Sequence, residues 1–325
     1  MDRMIERKET VVPCNPSLSV VVPTKNRQEI LKGLISSFVG QELDSYIEFL
    51  IIDQSQTQID EQQLAILKSL VNCIGCGSVL KYYHKPELSG LTAAKNFGID
   101  QAIGEIILFL DDDVVLLPGF LNELLSGIEH GFDGVSGVQI QDSSNKSKMS
   151  EIYSTIFQRG YLRDRRRYIN RNFNRLPRYV SSQVLSGGLT AYRRDLLISE
   201  RFDTNLVSYC LGEDKEYSLR VSVKGAKLAI CTKALAFHFR HPEGKPNPIE
   251  RYEAKTALVK YLQTRNEQVT GKENLWASNW ALFGIFVEAC FVGAKSRSLQ
   301  PIKGVFSGLR KAKQGFIGLK FINLR

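Results

Sequence analysis

Between residues 17 and 140, short apolar runs alternate with segments of helical spacing, and this alternation constrains the chain more than any other feature. The runs SLSVVVP, IEFLIID, VLKYYH and EIILFL read as strands. Between the first two, Ile30, Leu31, Leu34, Ile35 and Phe38 recur as one face of a helix, and LTAAKNFGIDQAIG, between the last two, reads as a helix closed by Gly104. Strand, helix and strand in succession are βαβ units. Because such crossovers are right-handed, the fold class is α/β: a doubly wound, mostly parallel sheet flanked by helices.

Beyond residue 140 the pattern changes. Residues 141–183 are polar and then arginine-rich, with Tyr161, Tyr168, Phe173 and Tyr179 interleaved, and read as a loop-rich insertion. Sheet-like signals return at VLSGGLTAYRR, GEDKEYSLRVSVKG reads as a helix closed by Gly225, and KLAICTKALAFHF supplies one or two strands. The α/β body therefore spans residues 1–245, with halves at about 17–140 and 141–245. Residues 246–325 form a helical C-terminal region.

In that region, WASNWALFGIFVEACFVG has 13 apolar residues of 18, but Asn279 and Glu288 interrupt it. A membrane span needs about 20 nearly uninterrupted apolar residues, so this segment is expected to pack on the body or lie in an interface. In the last segment Ile302, Val305, Phe306, Leu309, Ala312 and Phe316 form a stripe flanked by cations, as in an interfacial amphipathic helix. Lys313 and Lys320 fit that stripe by snorkelling. Gly304, Gly308, Gly315 and Gly318 lower its helix propensity, which points to ordering on a membrane.

Composition narrows the classes. With 43% hydrophobic and 24% charged residues among 325, the chain is an ordinary globular protein and not a disordered or collagenous one. Its six cysteines are too sparse for a disulfide framework, and MDRMIERKET contains no apolar signal core, so a reducing, cytoplasmic compartment is expected. Cys73 and Cys76 have metal-knuckle spacing but no second pair, and read as a turn. The net charge of +9 is unevenly spread: residues 159–178 carry +7 and 295–325 carry +8, which leaves the remainder at −6. Two concentrated basic surfaces on a mildly acidic body suit an anionic membrane or a phosphorylated acceptor, and argue against a nucleic-acid coat.

Ligands of open α/β sheets sit beyond the carboxyl ends of the strands. There the first strand runs into Pro23-Thr24-Lys25-Asn26-Arg27, the second ends at Asp53, and EIILFL ends at Asp111-Asp112-Asp113. Like charges crowded at a buried strand end need a cation or hydrogen-bond donors to neutralise them. Mg2+ or Mn2+, shared with the oxygens of a diphosphate, meets that need.

Six motifs in order, VVVPTKNR, LIIDQS, SGLTAAKNFGI, FLDDD, SGGLTAYRRDLL and GEDKEYSLRV, resemble family 2 of the inverting glycosyltransferases, enzymes of the nucleotide-sugar-binding GT-A fold. Together they cover about residues 17–245. The resemblance implies a catalytic domain over 1–245 that moves one sugar from a UDP- or dTDP-sugar to a hydroxyl of a glycan or lipid-linked acceptor. It places Pro23, Thr24, Arg27 and Asp53 about the nucleotide, Asp53 accepting from the base N–H, and Lys95 near the base or diphosphate. Asp111 and Asp113 would hold the metal with His238, His241 being the alternative, and Asp112 would face the ribose or sugar. Gly187 and Gly188 would let the backbone approach the donor sugar. Asp214 would be the general base, with Glu213 beside it orienting hydroxyls.

Nucleotidyl transfer also uses strand-end acids and Mg2+, but its glycine-rich loop is replaced here by Pro-Thr-Lys-Asn-Arg. A silent polyanion- or lipid-binding subunit would not need the full set of carboxylates. The Gln-x-x-Arg-Trp motif of processive synthases is missing, because Trp276 and Trp280 stand in other contexts. The expected setting is a bacterial-type surface-glycan pathway at the inner face of the cytoplasmic membrane, with the protein peripherally attached.

Overall fold

The computed structural model describes residues 18–41, 46–74, 77–140, 148–158, 162, 164–206, 212–239, 247–272, 274–313, 316–317 and 320–321. In chain order the elements are β1 (Leu18–Thr24), α1 (Leu31–Ser36), β2 (Ile47–Asp53), α2 (Glu61–Asn72), β3 (Val79–His84), α3 (Leu91–Gln101), β4 (Ile106–Leu110), β5 (Val114–Leu116), α4 (Phe120–Glu129) and β6 (Gly134–Ile140). They continue with α5 (Lys148–Phe157), α6 (Arg166–Asn172), β7 (Tyr179–Ser181), β8 (Leu189–Arg193), α7 (Arg194–Ser199), α8 (Glu213–Val223) and β9 (Leu228–His238). Three helices follow, α9 (Pro248–Thr270), α10 (Leu275–Ser296) and α11 (Gln300–Lys313), and then β10 (Phe316–Ile317) and β11 (Lys320–Phe321) pair antiparallel.

The main sheet has the order β3-β2-β1-β4-β8-β6-β9-β5, and β7 also pairs with β9. Strands β3, β2, β1, β4, β6 and β9 run one way, while β8, β5 and β7 run against their neighbours. The sheet is thus mixed, parallel through the βαβ half that the sequence announced. Alternate residues of each central strand serve opposite cores, as the two-residue period of a strand dictates. Val20, Val22, Phe49 and Ile51 join the core under α1, α2 and α4, and Val21, Leu50 and Ile52 join the one under α3, α7 and α8.

The insertion differs from the loop-rich reading. Among its described residues, 148–157 and 166–172 are helical and 179–181 is a strand. These elements form because they find partners: Phe157 packs on Trp280 and Phe283, Ile169 enters the second core, and β7 pairs with Ala229–Cys231 of β9. Cys73 ends α2, as a turn residue would, while Cys76 and His241 lie outside the described residues.

Residues 248–270, 275–296 and 300–313 are helical as expected. Asn247 and Glu250 form a reciprocal capping box with Pro248 at the first helical position, and Gly271 closes α9 in the left-handed region. The glycines of α11 do something other than weaken a helix. A Cβ on Gly304 would stand 2.5 Å from the Ile249 carbonyl oxygen, and one on Gly308 would stand 2.5 Å from that of Glu253. The missing side chains let α11 lie directly against α9, where Ser307 and Lys311 bind the Glu253 carboxylate. The stripe read as lipid-facing is partly turned inward, with Val305 buried against Tyr252, Ile285 and Ala289.

Candidate active site

The site gathers at the carboxyl edge of β1, β2 and β4, where two features of the topology converge. Antiparallel β8 enters the sheet at that edge, so the Gly187-Gly188 turn preceding it meets the end of β4, and the Asp111 N–H donates to the Gly188 carbonyl at 3.1 Å. Strand β5 then starts directly after the triple acid and pairs Val114 with His238 at the end of β9. Chain order separates Asp113 from His238 by more than a hundred residues, and this pairing makes them neighbours.

His238 Nε2 lies 2.8 Å from Asp113 Oδ1 and 3.8 Å from Asp111 Oδ2. One ligand atom from each of Asp111, Asp113 and His238 falls within 4.8 Å of the others. Burial pushes the Asp111 carboxyl above the usual carboxylate range. His238 and Lys95 counter that rise, and Asp113 and Asp214 add to it. Clustered acids that burial and mutual repulsion keep uneasy are what a divalent cation relieves. Gly188 makes room for the carboxylate itself: a Cβ there would fall 1.9 Å from the Asp111 carboxyl carbon. Two carboxylates and an imidazole, with no thiolate, form a donor set for Mn2+, and less closely for the all-oxygen preference of Mg2+.

Asp112 is buried, accepting from Thr24 Oγ1 at 2.7 Å and pairing with Arg27 at 2.8 Å. Burial raises its pKa to about 6 against the opposing pull of Arg27 and Thr24. From the turn between β4 and β5, Asp112 thus ties the end of β4 to the β1 loop. Arg27 reaches over both, its second nitrogen 3.6 Å from Asp113, and stays about a quarter exposed. Pro23 is in register with Ile52, and Thr24 with Asp53, at the ends of β1 and β2.

Asp53 is at its strand end, fully buried among internal donors. It accepts from the Ser55 N–H (2.8 Å), the Ser55 hydroxyl, Gln28 Nε2 (3.0 Å) and the Tyr82 hydroxyl (2.5 Å). Four donors fill the lone-pair sites of a carboxylate, so accepting from a base N–H requires that one of them withdraw. Ser55 closes the LIIDQS motif two residues on, but Gln28 and Tyr82 carry no motif signal and are partners because β1, β2 and β3 lie side by side.

Lys95, expected near the base or diphosphate, is held by partners within the protein. It is buried between the Phe109 and Phe202 rings, and its ammonium donates to the Gly187 carbonyl (2.8 Å) and pairs with Glu213 (3.0 Å). It holds the glycine turn against the start of α8. Burial raises the Glu213 pKa, with Lys95 opposing and Asp214 reinforcing the shift. Gly187 is required for the same junction: a Cβ there would meet Glu213 Oε1 at 2.4 Å and Asp214 Cβ at 3.1 Å. The two glycines thus admit carboxylates of the protein itself.

Glu213 and Asp214 occupy the first turn of α8, where the helix dipole favours anions. Gly212, in the left-handed region at φ 85°, aims that turn, and Leu258 of α9 fills the place of its side chain. One Asp214 oxygen accepts from the Lys215 N–H at 2.7 Å, and the other is paired with Arg166 NH1. Arg166 also binds Asp164 through Nε and NH2 and donates to the Leu185 carbonyl at 2.9 Å. In the sequence Arg166 is one of eight arginines between residues 159 and 178. Only the packing of α6 singles it out.

A family model for glycosyl transferase family 2 matches residues 19–199. The GalNAc(5)-diNAcBac-PP-undecaprenol beta-1,3-glucosyltransferase of Campylobacter jejuni is 34% identical over 135 residues, which cover 41% of this chain and 41% of that protein. The chain therefore matches less than half of that relative's length. Among solved structures, S. aureus TarS in complex with UDP-GlcNAc superposes with a TM-score of 0.52 at 18% identity, over 92% of this chain and 91% of that one. A mannosyltransferase from Pyrobaculum calidifontis, solved with GDP-Man and Mn2+, gives 0.57 at 14% identity, over 93% and 88%. At such identities the likeness is one of fold, the GT-A arrangement of a mixed sheet between helical layers.

Proposed function

The chain belongs to glycosyl transferase family 2, and from that premise we propose that it transfers a single sugar, with inversion, from a UDP- or dTDP-sugar to an acceptor hydroxyl. The acceptor is a glycan or lipid-linked glycan, reached at the cytoplasmic face of a membrane to which the protein is peripherally attached. The observation that carries this reading is the Gly187-Gly188 turn, which has Asp111 against one glycine and Glu213 with Asp214 against the other. A cation-binding group and a general base on two sides of one turn is the arrangement a direct displacement needs.

Asp111, Asp113 and His238 would hold Mn2+, with Mg2+ as the alternative. Bound there, the ion supplies charge neutralisation to a departing diphosphate. Asp214 takes the proton of the acceptor hydroxyl as its oxygen bonds to the anomeric carbon, the bond from that carbon to the diphosphate breaks, and the nucleoside diphosphate leaves. A single displacement inverts the anomeric centre. Glu213, fixed by Lys95, orients hydroxyls beside the base. Arg166 is paired with one Asp214 oxygen, and the phosphates of a bound donor offer Arg166 a competing anion.

Donor binding and transfer separate in the test. Asp214→Asn should keep the metal-dependent rise in melting temperature with the nucleotide sugar and lose transfer by about 100-fold or more. Asp113→Ala should lose the thermal shift itself. Transfer at the parental rate by Asp214→Asn would remove the base from the scheme, and a metal-independent shift in both variants would remove the ion.

A further inference from the structure

The last two long helices carry a surface that catalysis does not use. By length and composition α10 is apolar enough to cross a membrane, yet about a third of it is buried on the protein. Ala277, Ala281, Gly284, Ile285, Ala289 and Gly293 turn inward. On the other side Trp276 (63% exposed), Phe283 (51%) and Phe291 (67%) succeed one another at helical spacing with Trp280 and Val287, along about 22 Å of axis. Glu288, the helix's one acid, is withdrawn from this row by its pair with Lys255 at 2.8 Å. The row widens on both flanks: Ile152 and Ile156 of α5 are exposed beside it, the Ile156 carbonyl accepting from Trp280 Nε1, and Phe306 of α11, 60% exposed, meets Phe286 edge to face.

Cations rim the row. Lys303 and Arg310 share the exposed side of α11 with Phe306, Lys295 and Arg297 lie exposed at the end of α10, and residues 295–325 contain no Asp or Glu. A wide apolar face of this kind marks an interaction site. Tryptophan joins an apolar body to a polar N–H, phenylalanine supplies apolar area for the acyl boundary, and Lys and Arg reach anionic headgroups, so the combination suits a bilayer surface. We propose that the α5–α10–α11 face seats on an anionic lipid bilayer, with α10 lying in the plane of the headgroups and its aromatic row dipping into the acyl boundary. The attachment deepens the membrane-side placement proposed above and moves it from the tail to α10. Its geometry stands independently of the transfer chemistry.

The chain's two tryptophans, Trp276 and Trp280, both sit on this face, their rings stacked 6.1 Å apart, so selectively excited tryptophan emission reports from it alone. Titration of the full chain with phosphatidylglycerol vesicles at low salt should shift the emission to the blue, and brominated phosphatidylglycerol should quench it. Neutral phosphatidylcholine vesicles should do neither, or only at much higher lipid. The exposed substitutions Phe283→Ser and Phe291→Ser together should weaken co-sedimentation with the anionic vesicles by about tenfold or more, and Lys303→Gln with Arg310→Gln should reduce its salt sensitivity. An unchanged emission with anionic vesicles overturns the proposal. So does undiminished sedimentation of the Phe283→Ser/Phe291→Ser protein, or a blue shift that follows protein concentration without lipid, which would assign the face to a second copy. Each readout is independent of sugar transfer, so failure here leaves the transferase reading standing, and the converse holds.

Discussion

Arg166 is the residue on which the site turns. It is a cation held by two carboxylates: burial alone would lower its pKa, and Asp164 and Asp214 together keep it well above the ordinary value. If it leaves Asp214 for the donor's phosphates, Arg166→Ala should raise KM for the nucleotide sugar more than it lowers kcat. The expected rise is about 10- to 100-fold, from a charge-assisted bond worth about 1.5–3 kcal/mol. A fall in kcat with KM unchanged would instead confine its role to the base. Asp164 provides a pH test. Burial pushes its pKa up, but the ion pair and hydrogen bonds with Arg166 outweigh this and hold it well below the carboxylate range. A depressed folded value means a stabilisation that is present above the unfolded pKa of about 3.9 and disappears as pH falls below it toward the folded value. Asp164→Asn should therefore cost about 2–4 kcal/mol at pH 7 and flatten the acid limb of a stability curve measured by urea unfolding.

At the level of elements, α11 shows how one residue type carries opposite meanings. By propensity, glycines at 304 and 308 weaken the helix. By packing, they are the contact that holds it, since each missing Cβ would fall within 2.5 Å of an α9 carbonyl. Gly308→Leu should push α11 off α9 at a cost of about 1–3 kcal/mol, seen as faster amide exchange over residues 300–313. An unchanged exchange rate would mean that α11 is held by Ser307 and Lys311 alone. The insertion carries a similar lesson. Its helical spacing at Ile152, Tyr153, Ile156 and Phe157 was visible in the sequence but is short, and becomes decisive only when Phe157 meets Trp280 and Phe283.

Across the whole molecule, the helical C-terminal region is joined to the α/β body through buried groups. Leu206 packs with Ala257 and Tyr261, Arg265 reaches Glu216 of α8 and Asp203, and the Tyr261 hydroxyl binds Asp203. Leu258 fills the space over Gly212, at the turn that aims Asp214. Two parts sharing a core should unfold together, so calorimetry is expected to record one transition, with van't Hoff and calorimetric enthalpies in agreement. A separate low-temperature transition for residues 248–313 would show the boundary near 245 to be a domain boundary in energy as well as in pattern.

The sequence by itself determined what depends on local order. Hydrophobic periodicity placed the four βαβ strands, and strand-end position marked Asp53, Asp111 and Asp113, because a strand's carboxyl end is where an α/β sheet keeps its ligands, whereas His238 came from the family resemblance alone. Six motifs in sequence also carried the family, which the model match over residues 19–199 bears out. The tertiary structure alone decided which polar groups face one another. Pairing of β5 with β9 brought His238 to Asp113, entry of antiparallel β8 set two glycines between Asp111 and Asp214, and packing of α6 delivered Arg166 to Asp214. It also turned Asp112 and Lys95 inward, to partners 88 and 118 residues away. Periodicity says which face of an element is apolar. The partner of a buried charge is set by which distant strand or helix arrives beside it, and no local pattern encodes that.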